Sequence, residues 1–420
     1  MPQPRWLLTL HARVMRFLMS IGMFIHKLAS PCPPAPAFQR LIPSTLSSNP
    51  GSFLVSVYTP PGYESRRRRS FRQDGRPDRY KCIINFHGGG FTLGCSTDDA
   101  RFIHHAINAL NCVVISVDYR LAPEHPFPTA VDDGADAVLW AAEHADELGI
   151  DPFSLSLTGF SSGGNLVLSV PIRLHDHLHS ITRPLYTTSS PFPSPVGKTS
   201  LTVSRVDPNA STSSLSSVAE DIPLKSPSPL PRRNGPSTKP SFEIRALAPF
   251  YPSTNYALPR SVRRATNPNP TVDLPHSLTR LFDESYIPSA SVRLENPYLS
   301  PGLLGKREMR DVYAGMRVLG VGCEFDMLCR EGGEMMTRLA DARRGEGEDD
   351  EDGEERETVM KVEEEGASWR VVKGVRHGWD KRPFLSEMDR RKVEKEYAWV
   401  CEGLREAWRG TGEGAEASFS

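Results

Sequence analysis

Short β-branched runs that alternate with helical patterns constrain this chain more than any other feature. Val113 to Val117, Leu155 to Thr158, Ala246 to Phe250, Arg317 to Val321 and Trp369 to Val372 are such runs, and helical patterns such as Pro128 to Leu148 lie between them. Phe53 to Tyr58 and Cys82 to Phe86 are two further strand-like runs nearer the N-terminus. Alternation of this kind predicts a buried, mostly parallel sheet with helices on both faces. In such a sheet, sites form at the carboxyl ends of the strands. Every candidate motif must therefore follow a strand.

Three segments interrupt the alternation. Arg66 to Arg69 opens a basic polar stretch reaching Arg79, read as a solvated hairpin loop. Residues 181 to 240 hold 11 Pro and 13 Ser, too little apolar surface to offset the entropy of ordering. Glu346 to Glu365 holds twelve acids against two bases, and like charges in a block repel and stay solvated. That tract alone turns a remainder of about +9 into the net charge of -1, so overall charge selects no partner. The expected organisation is an N-terminal amphipathic or cap segment over 1–50 and one catalytic domain over 51–409. Disordered inserts are expected at 64–79, 181–240 and 344–366, with a disordered tail over 410–420.

Trp6 to Leu28 is apolar but broken by His11, Arg13, Arg16, His26 and Lys27, and its longest uncharged run, Phe17 to Ile25, falls short of the ~20 residues of a spanning helix. An amphipathic helix is expected, packed on the domain or lying on a membrane surface. A signal sequence or signal anchor is the alternative, although no A-x-A-like site precedes Pro31. Cytoplasmic and membrane-associated locations follow from the first reading, the endoplasmic reticulum from the second. Seven scattered cysteines without a CxxC pair give neither a disulfide framework nor a zinc site, and suit a reducing compartment.

Two glycine motifs follow strands. Gly159-Phe160-Ser161-Ser162-Gly163 comes after Leu155 to Thr158 and leads into a helical pattern from Gly164 to His175. GxSxG lets a chain turn sharply from strand to helix with a serine at the apex. Roughly 0.1–0.2 such matches arise by chance in a chain of this length, given glycine at ~7%, so the strand and helix around it carry the argument. His87-Gly88-Gly89-Gly90-Phe91 follows Cys82 to Phe86. Consecutive glycines let backbone N–H groups approach a reacting carbonyl oxygen, although a tight structural turn would use them too.

Together with Asp118-Tyr119-Arg120-Leu121-Ala122-Pro123-Glu124-His125-Pro126-Phe127-Pro128, these motifs resemble the hormone-sensitive-lipase-like family of α/β-hydrolases, also called the alpha/beta hydrolase fold-3 family. The resemblance runs from about Phe53 to Arg409 and implies an eight-stranded, mostly parallel sheet and a helical cap built partly from the N-terminus. It also implies carboxylic-ester hydrolysis without a cofactor or metal. Cys323-Glu324-Phe325-Asp326-Met327-Leu328 resembles the segment that carries the family's acid, which makes Asp326 the candidate and Glu324 its competitor. Val375-Arg376-His377-Gly378-Trp379 resembles the family's His-Gly-aromatic loop, so His377 is the candidate base. Ser161 is then the nucleophile, with the N–H groups of Gly89, Gly90 and Ser162 as oxyanion donors. His87 and Gly88 play supporting parts. The 165 residues from Ser161 to Asp326 are many for the family, but a surface loop lengthens at only about 0.6 kcal/mol per doubling.

Phe160 and Ser162 depart from the family, which often has Asp or Thr before the nucleophile and Ala after it. The expected partner is a small-molecule ester, not a nucleic acid. An amide substrate on the same three residues is the alternative, a non-catalytic small-molecule receptor a further one, and an adaptor built on the charged and Pro/Ser segments the last.

Overall fold

The computed structural model describes residues 3–28, 32–70, 79–187, 242–345, 361–364, 366–382 and 385–409. In chain order the elements are α1 (Arg5–Leu28), β1 (Phe38–Ser44), β2 (Gly51–Tyr58), α2 (Tyr63–Ser70), β3 (Tyr80–Phe86), α3 (Ala100–Leu110), β4 (Val113–Asp118), α4 (Thr129–Glu143), α5 (Ala145–Leu148), β5 (Ile150–Phe160) and α6 (Ser162–Leu178). There follow β6 (Ile244–Phe250), α7 (Arg260–Ala265), α8 (His276–Tyr286), α9 (Lys306–Val312), β7 (Arg317–Phe325), α10 (Cys329–Arg344), β8 (Lys361–Glu364), β9 (Ala367–Arg376) and α11 (Glu387–Arg409).

The described strands form one sheet in the order β1-β2-β4-β3-β5-β6-β7-β9-β8. From β4 to β9 every neighbouring pair is parallel, whereas β1, β2 and β8 join antiparallel at the edges. Strand side chains alternate between the two faces. Cys82, Ile84 and Phe86 therefore enter one core with the helices α4, α6 and α10, while Ile83 enters a second core with α3 and α11. Both faces are covered, as the uniformly apolar runs require.

Among the described residues nine strands stand where the resemblance implied eight. Two of them fall outside the runs that the sequence singled out. β1 lies within the segment expected to be only helix or cap, and its alternate residues stay partly exposed at the sheet edge, where Pro43 is tolerated. β8 sits inside the expected acidic insert; its charged Lys-Val-Glu-Glu composition has no apolar period, and pairing with β9 makes it a strand.

The insert boundaries also shift. Residues 64–70, expected to be disordered, form most of α2. Tyr63 is buried beside Tyr80, its hydroxyl donates to the Leu148 carbonyl at 2.9 Å, and the Arg66 guanidinium lies 4.2 Å from the Tyr80 ring centre. A run of arginines can thus pack through its stems and planar faces while its charge stays solvated. Residues 181–187 are ordered by the Arg183 pair with Asp176 and a bridge from Tyr186 to Val292. Arg344 belongs to α10. The expectations for 71–78, 188–240, 346–360 and 410–420 lie outside the described residues.

Residues 5–28 form a single helix, and its stretch Arg5–Ile25, of mean hydropathy 1.3, is long and apolar enough by length and composition to cross a membrane. The uncharged run alone undervalues this helix, in which Arg5, Arg13 and Arg16 are diluted by leucine, methionine and phenylalanine. In the structure α1 rests on the body that carries the sheet. Arg5 donates to the Ser285 carbonyl at 3.0 Å; Arg16 reaches the Thr92 and Ala122 carbonyls at 2.8 and 2.7 Å and both carboxylate oxygens of Glu124.

Candidate active site

Four strands deliver the site. β5 ends at Phe160, and Ser161 turns the chain into α6 with φ 56° and ψ -115°, a conformation an L residue occupies only under strain. Its N–H donates to the Phe250 carbonyl at 2.9 Å, which ties the turn to β6. Close packing explains the second motif glycine: a Cβ on Gly163 would lie 2.0 Å from the Phe86 carbonyl oxygen at the end of β3. β3 neighbours β5 in the sheet, so the loop His87–Gly90 begins beside the serine.

β7 and β9 supply the other two groups. Asp326 follows β7 with its side chain fully buried, and its Oδ1 accepts the Leu328 N–H at 3.0 Å. His377 follows β9 and joins both partners: its Nδ1 lies 2.7 Å from Asp326 Oδ2 and its Nε2 lies 2.8 Å from Ser161 Oγ. A carboxylate can only accept, so Nδ1 carries the proton in the neutral ring and Nε2 presents its lone pair to the serine hydroxyl. Burial pushes the His377 pKa down, but the Asp326 charge and hydrogen bond outweigh it and hold the pKa above the ordinary value, with Asp273 and Asp380 adding to the effect.

Glu324, the competitor, lies elsewhere. Its carboxylate accepts the Gly374 N–H at 2.7 Å and pairs with Lys373 at 3.0 Å, contacts that hold its pKa below the carboxylate norm at the protein surface.

Gly89 and Gly90 both adopt positive φ, 119° and 61°, which turns their amides away from strand geometry. Ser162 is the first residue of α6, so its N–H is one of the unpaired donors at a helix start. His87 is buried, bonds the Gly88 carbonyl through Nδ1 at 2.8 Å, and stacks on Tyr119 with ring centres 4.2 Å apart. Tyr119 donates its hydroxyl to the His87 carbonyl at 2.9 Å and lies 3.4 Å from Ser162 Oγ. Tyr119, inside the Asp118–Pro128 motif, thus braces the glycine loop against the serine turn.

The serine opens into a cavity of about 220 Å³ that also touches His377, walled by Leu93 and, from distant segments, by Met19, Met23, Leu274, Leu278 and Phe282. α1 brings in the two methionines, α8 brings in Leu278 and Phe282, and Leu274 just precedes α8; no local pattern announces them. Beneath the cavity, Phe160 stacks on Phe250 with ring centres 4.4 Å apart, and the Lys381 ammonium lies 3.3 Å from the Phe160 ring centre. Lys381 also pairs with Asp99 at 2.6 Å and Asp380 at 3.2 Å, while Tyr251 and Tyr397 donate to Asp380. Burial pushes the Lys381 pKa down, but the two carboxylates raise it above the ordinary lysine value. An aromatic ring before the serine is thus matched by a cation above it. Among the described residues no group of three or more His, Cys, Asp or Glu could hold a metal ion.

The sheet order, the serine at the strand-to-helix turn and the helical cover define the α/β-hydrolase fold. The family model described as alpha/beta hydrolase fold matches residues 83–212. Along the sequence, the arylesterase of Saccharolobus solfataricus is 43% identical over 100 residues, 24% of this chain and 33% of that enzyme. The hormone-sensitive lipase of Mus musculus is 33% identical over 143 residues, 33% of this chain and 18% of that protein. An AB hydrolase superfamily protein of Schizosaccharomyces pombe is 45% identical over 100 residues, 23% of this chain and 29% of its relative. The matches thus span a third or less of these relatives' lengths. In three dimensions an esterase of Pyrobaculum calidifontis superposes with a TM-score of 0.59 at 22% identity, over 94% of this chain and 93% of that one, a likeness of fold. Over the matched residues the chain is similar to the hormone-sensitive-lipase-like family of α/β-hydrolases.

Proposed function

We propose that this protein is a serine hydrolase that cleaves carboxylic esters of short to medium acyl chains through an acyl-enzyme intermediate. The hydrogen-bonded chain from Ser161 through His377 to Asp326, with steps of 2.8 and 2.7 Å, carries the reading. Ser161 Oγ attacks the acyl carbonyl while His377 Nε2 takes its proton, and Asp326 stabilises the imidazolium that forms. The N–H groups of Gly89, Gly90 and Ser162 receive the developing oxyanion, each worth on the order of 3–4 kcal/mol. The tetrahedral intermediate collapses, and His377 returns the proton to the departing alcohol. Water then attacks the acyl-serine with His377 again as base, releasing the acid and restoring Ser161.

A mostly apolar cavity of about 220 Å³ lies below the range of ~300–1,000 Å³ common for drug-sized ligands, which supports a compact acyl group. Relatives named arylesterase and carboxylesterase support ester over amide chemistry. Ser161→Ala should lower kcat toward p-nitrophenyl esters by on the order of 10⁴–10⁶ and abolish labelling by a fluorophosphonate. Wild-type turnover by Ser161→Ala would rule the mechanism out. A C2 to C12 ester series, with a matched amide alongside, tests the substrate class.

A further inference from the structure

Helix α1 is apolar on two opposite sides, and only one is used. Its inner side buries Leu8 and Ala12 and lends Met19 and Met23 to the cavity wall. Its outer side carries Trp6, Leu10, Val14, Phe17, Ile21, Phe24 and Leu28, a stripe repeating every three or four residues, each between 47% and 69% exposed. Leu18 and Ile25 flank it. Of the sixteen exposed large apolar side chains among the described residues, these nine sit on this single helix. A surface helix of a soluble protein ordinarily turns polar residues outward.

We propose that the outer stripe of α1 docks on an anionic lipid surface, with the helix lying flat and forming the wall between the bilayer and the ester-binding cavity. Charge complementarity points to this occupant. No Asp or Glu occurs before Glu64, while Arg5, Arg13, Arg16 and Lys27 all lie in α1 itself. Arg13, its side chain 70% exposed and 3.7 Å from Glu124, sits beside the stripe. Basic residues flanking an apolar helix face are the pattern that combines insertion with attraction to anionic headgroups. The Arg5 and Arg16 bonds hold the helix against the domain, so crossing the bilayer would break those contacts and strip Met19 and Met23 from the cavity. Lying flat keeps both sides of α1 in use, and an ester dissolved in the membrane would meet the cavity on that side. This last step rests on the hydrolase reading; the docking itself does not.

Flotation of the full-length protein therefore uses the Ser161→Ala variant, which separates docking from catalysis. It should float with vesicles of equimolar phosphatidylcholine and phosphatidylserine, more weakly with phosphatidylcholine alone, and be released by alkaline carbonate. Adding Phe17→Ser, Ile21→Asp and Phe24→Ser should cut the bound fraction by about tenfold or more. In the Ser161 background the same three changes should leave kcat/KM on soluble p-nitrophenyl acetate within about twofold, since none of them touches the cavity. A single Phe17→Asp variant with an unchanged melting temperature controls for folding. Undiminished flotation of the triple variant would overturn the proposal, as would carbonate resistance, which means a spanning helix. A stripe-dependent dimer that does not float would assign the face to a second copy and overturn it equally.

Discussion

Asp326→Asn is the most discriminating change, because the structure dictates what the new amide must do. Asp326 uses two oxygens: Oδ1 accepts the Leu328 N–H at 3.0 Å and Oδ2 accepts His377 Nδ1–H at 2.7 Å. Asparagine has one oxygen and one NH₂. If the oxygen stays on Leu328, the NH₂ faces Nδ1, which must then offer a lone pair, so the ring proton moves to Nε2. In that tautomer the ring cannot take the proton from Ser161. If the amide flips, the ring keeps its working tautomer but two N–H donors meet at Leu328, in a site with no solvent access. A buried, unpaired donor costs about 1–3 kcal/mol. The working arrangement is disfavoured by that amount.

The imidazolium of the transition state also loses a charged partner, worth about 1.5–3 kcal/mol for a hydrogen bond to an ion. Together about 2.5–6 kcal/mol is lost, a fall in kcat of ~10²–10⁴. The pH profile adds a second readout. Hydrolysis needs neutral His377, so kcat/KM rises with pH through its pKa, which the Asp326 charge holds above the ordinary 6.5. Without that charge, burial's downward push is no longer outweighed, and the acid limb should move to lower pH. Titration of kcat/KM with p-nitrophenyl butyrate from pH 5 to 9 measures both effects. Asp326→Asn within tenfold of wild type, with an unmoved acid limb, would refute the reasoning and return Glu324 to contention. Glu324→Gln should stay within about twofold of wild type, as surface changes do.

Gly90→Ala would place a Cβ 2.2 Å from Phe282 Cγ at a φ of 61°, so the loop or α8 must move. kcat should fall by on the order of 10²–10³, the cost of one misplaced oxyanion donor, and adding Phe282→Ala should recover only part of it in steady-state assays. Glu331 is fully buried, and burial, partly offset by Arg263, pushes its pKa up to about 7 from 4.5. A folded-state pKa above the unfolded one means stability present below pH 4.5 and lost as pH rises toward 7. Glu331→Gln, which can still accept the Thr254 N–H, should gain on the order of 2 kcal/mol relative to wild type between pH 5 and pH 8, read from urea midpoints. Trp369 is fully buried, and a Cβ on Gly320, Gly322 or Gly332 would lie 2.5 Å from its ring. Trp369→Ala should therefore leave a large cavity and cost about 3–5 kcal/mol in chemical denaturation.

The chemical half of the site was legible because each piece is local. A strand, a turn and one reactive residue lie within a dozen positions for Ser161, His87 and His377, and strand periodicity gave the parallel sheet that must gather them. Tyr119, Lys381 and Asp99 were not legible as a set, since their roles come from pairing across strand ends rather than from spacing. The cavity wall was less legible still. Met19 and Leu278 look like any apolar helix residues, and only the docking of α1 beside α8 tells which side of each helix lines the cavity. Edge strands failed for a related reason. β1 and β8 are half solvated, carry charge or proline, and owe their conformation to one neighbouring strand.

The positions of the interruptions explain why long insertions leave the site intact. In the parallel part of the sheet, Ser161, Asp326, His377 and the glycine loop all follow strand ends at one edge. The interruptions attach at the other. Tyr63 and Arg67 of α2 bond to the carbonyls of Leu148 and Glu147, just before β5 begins. The chain re-enters the described structure at Phe242, and the Glu243 N–H donates to the Pro152 carbonyl near the start of the same strand. α10 ends where Arg343 reaches the carbonyls of Tyr313 and Met316, just before β7. Length added between a helix end and the next strand start changes neither the strand register nor the turns at the far edge. The separation of 165 residues between Ser161 and Asp326 is thus compatible with a Ser161, His377 and Asp326 geometry held to hydrogen-bond distance. In this fold the spacing of site residues along the chain reports loop history, and their order across strand ends reports chemistry.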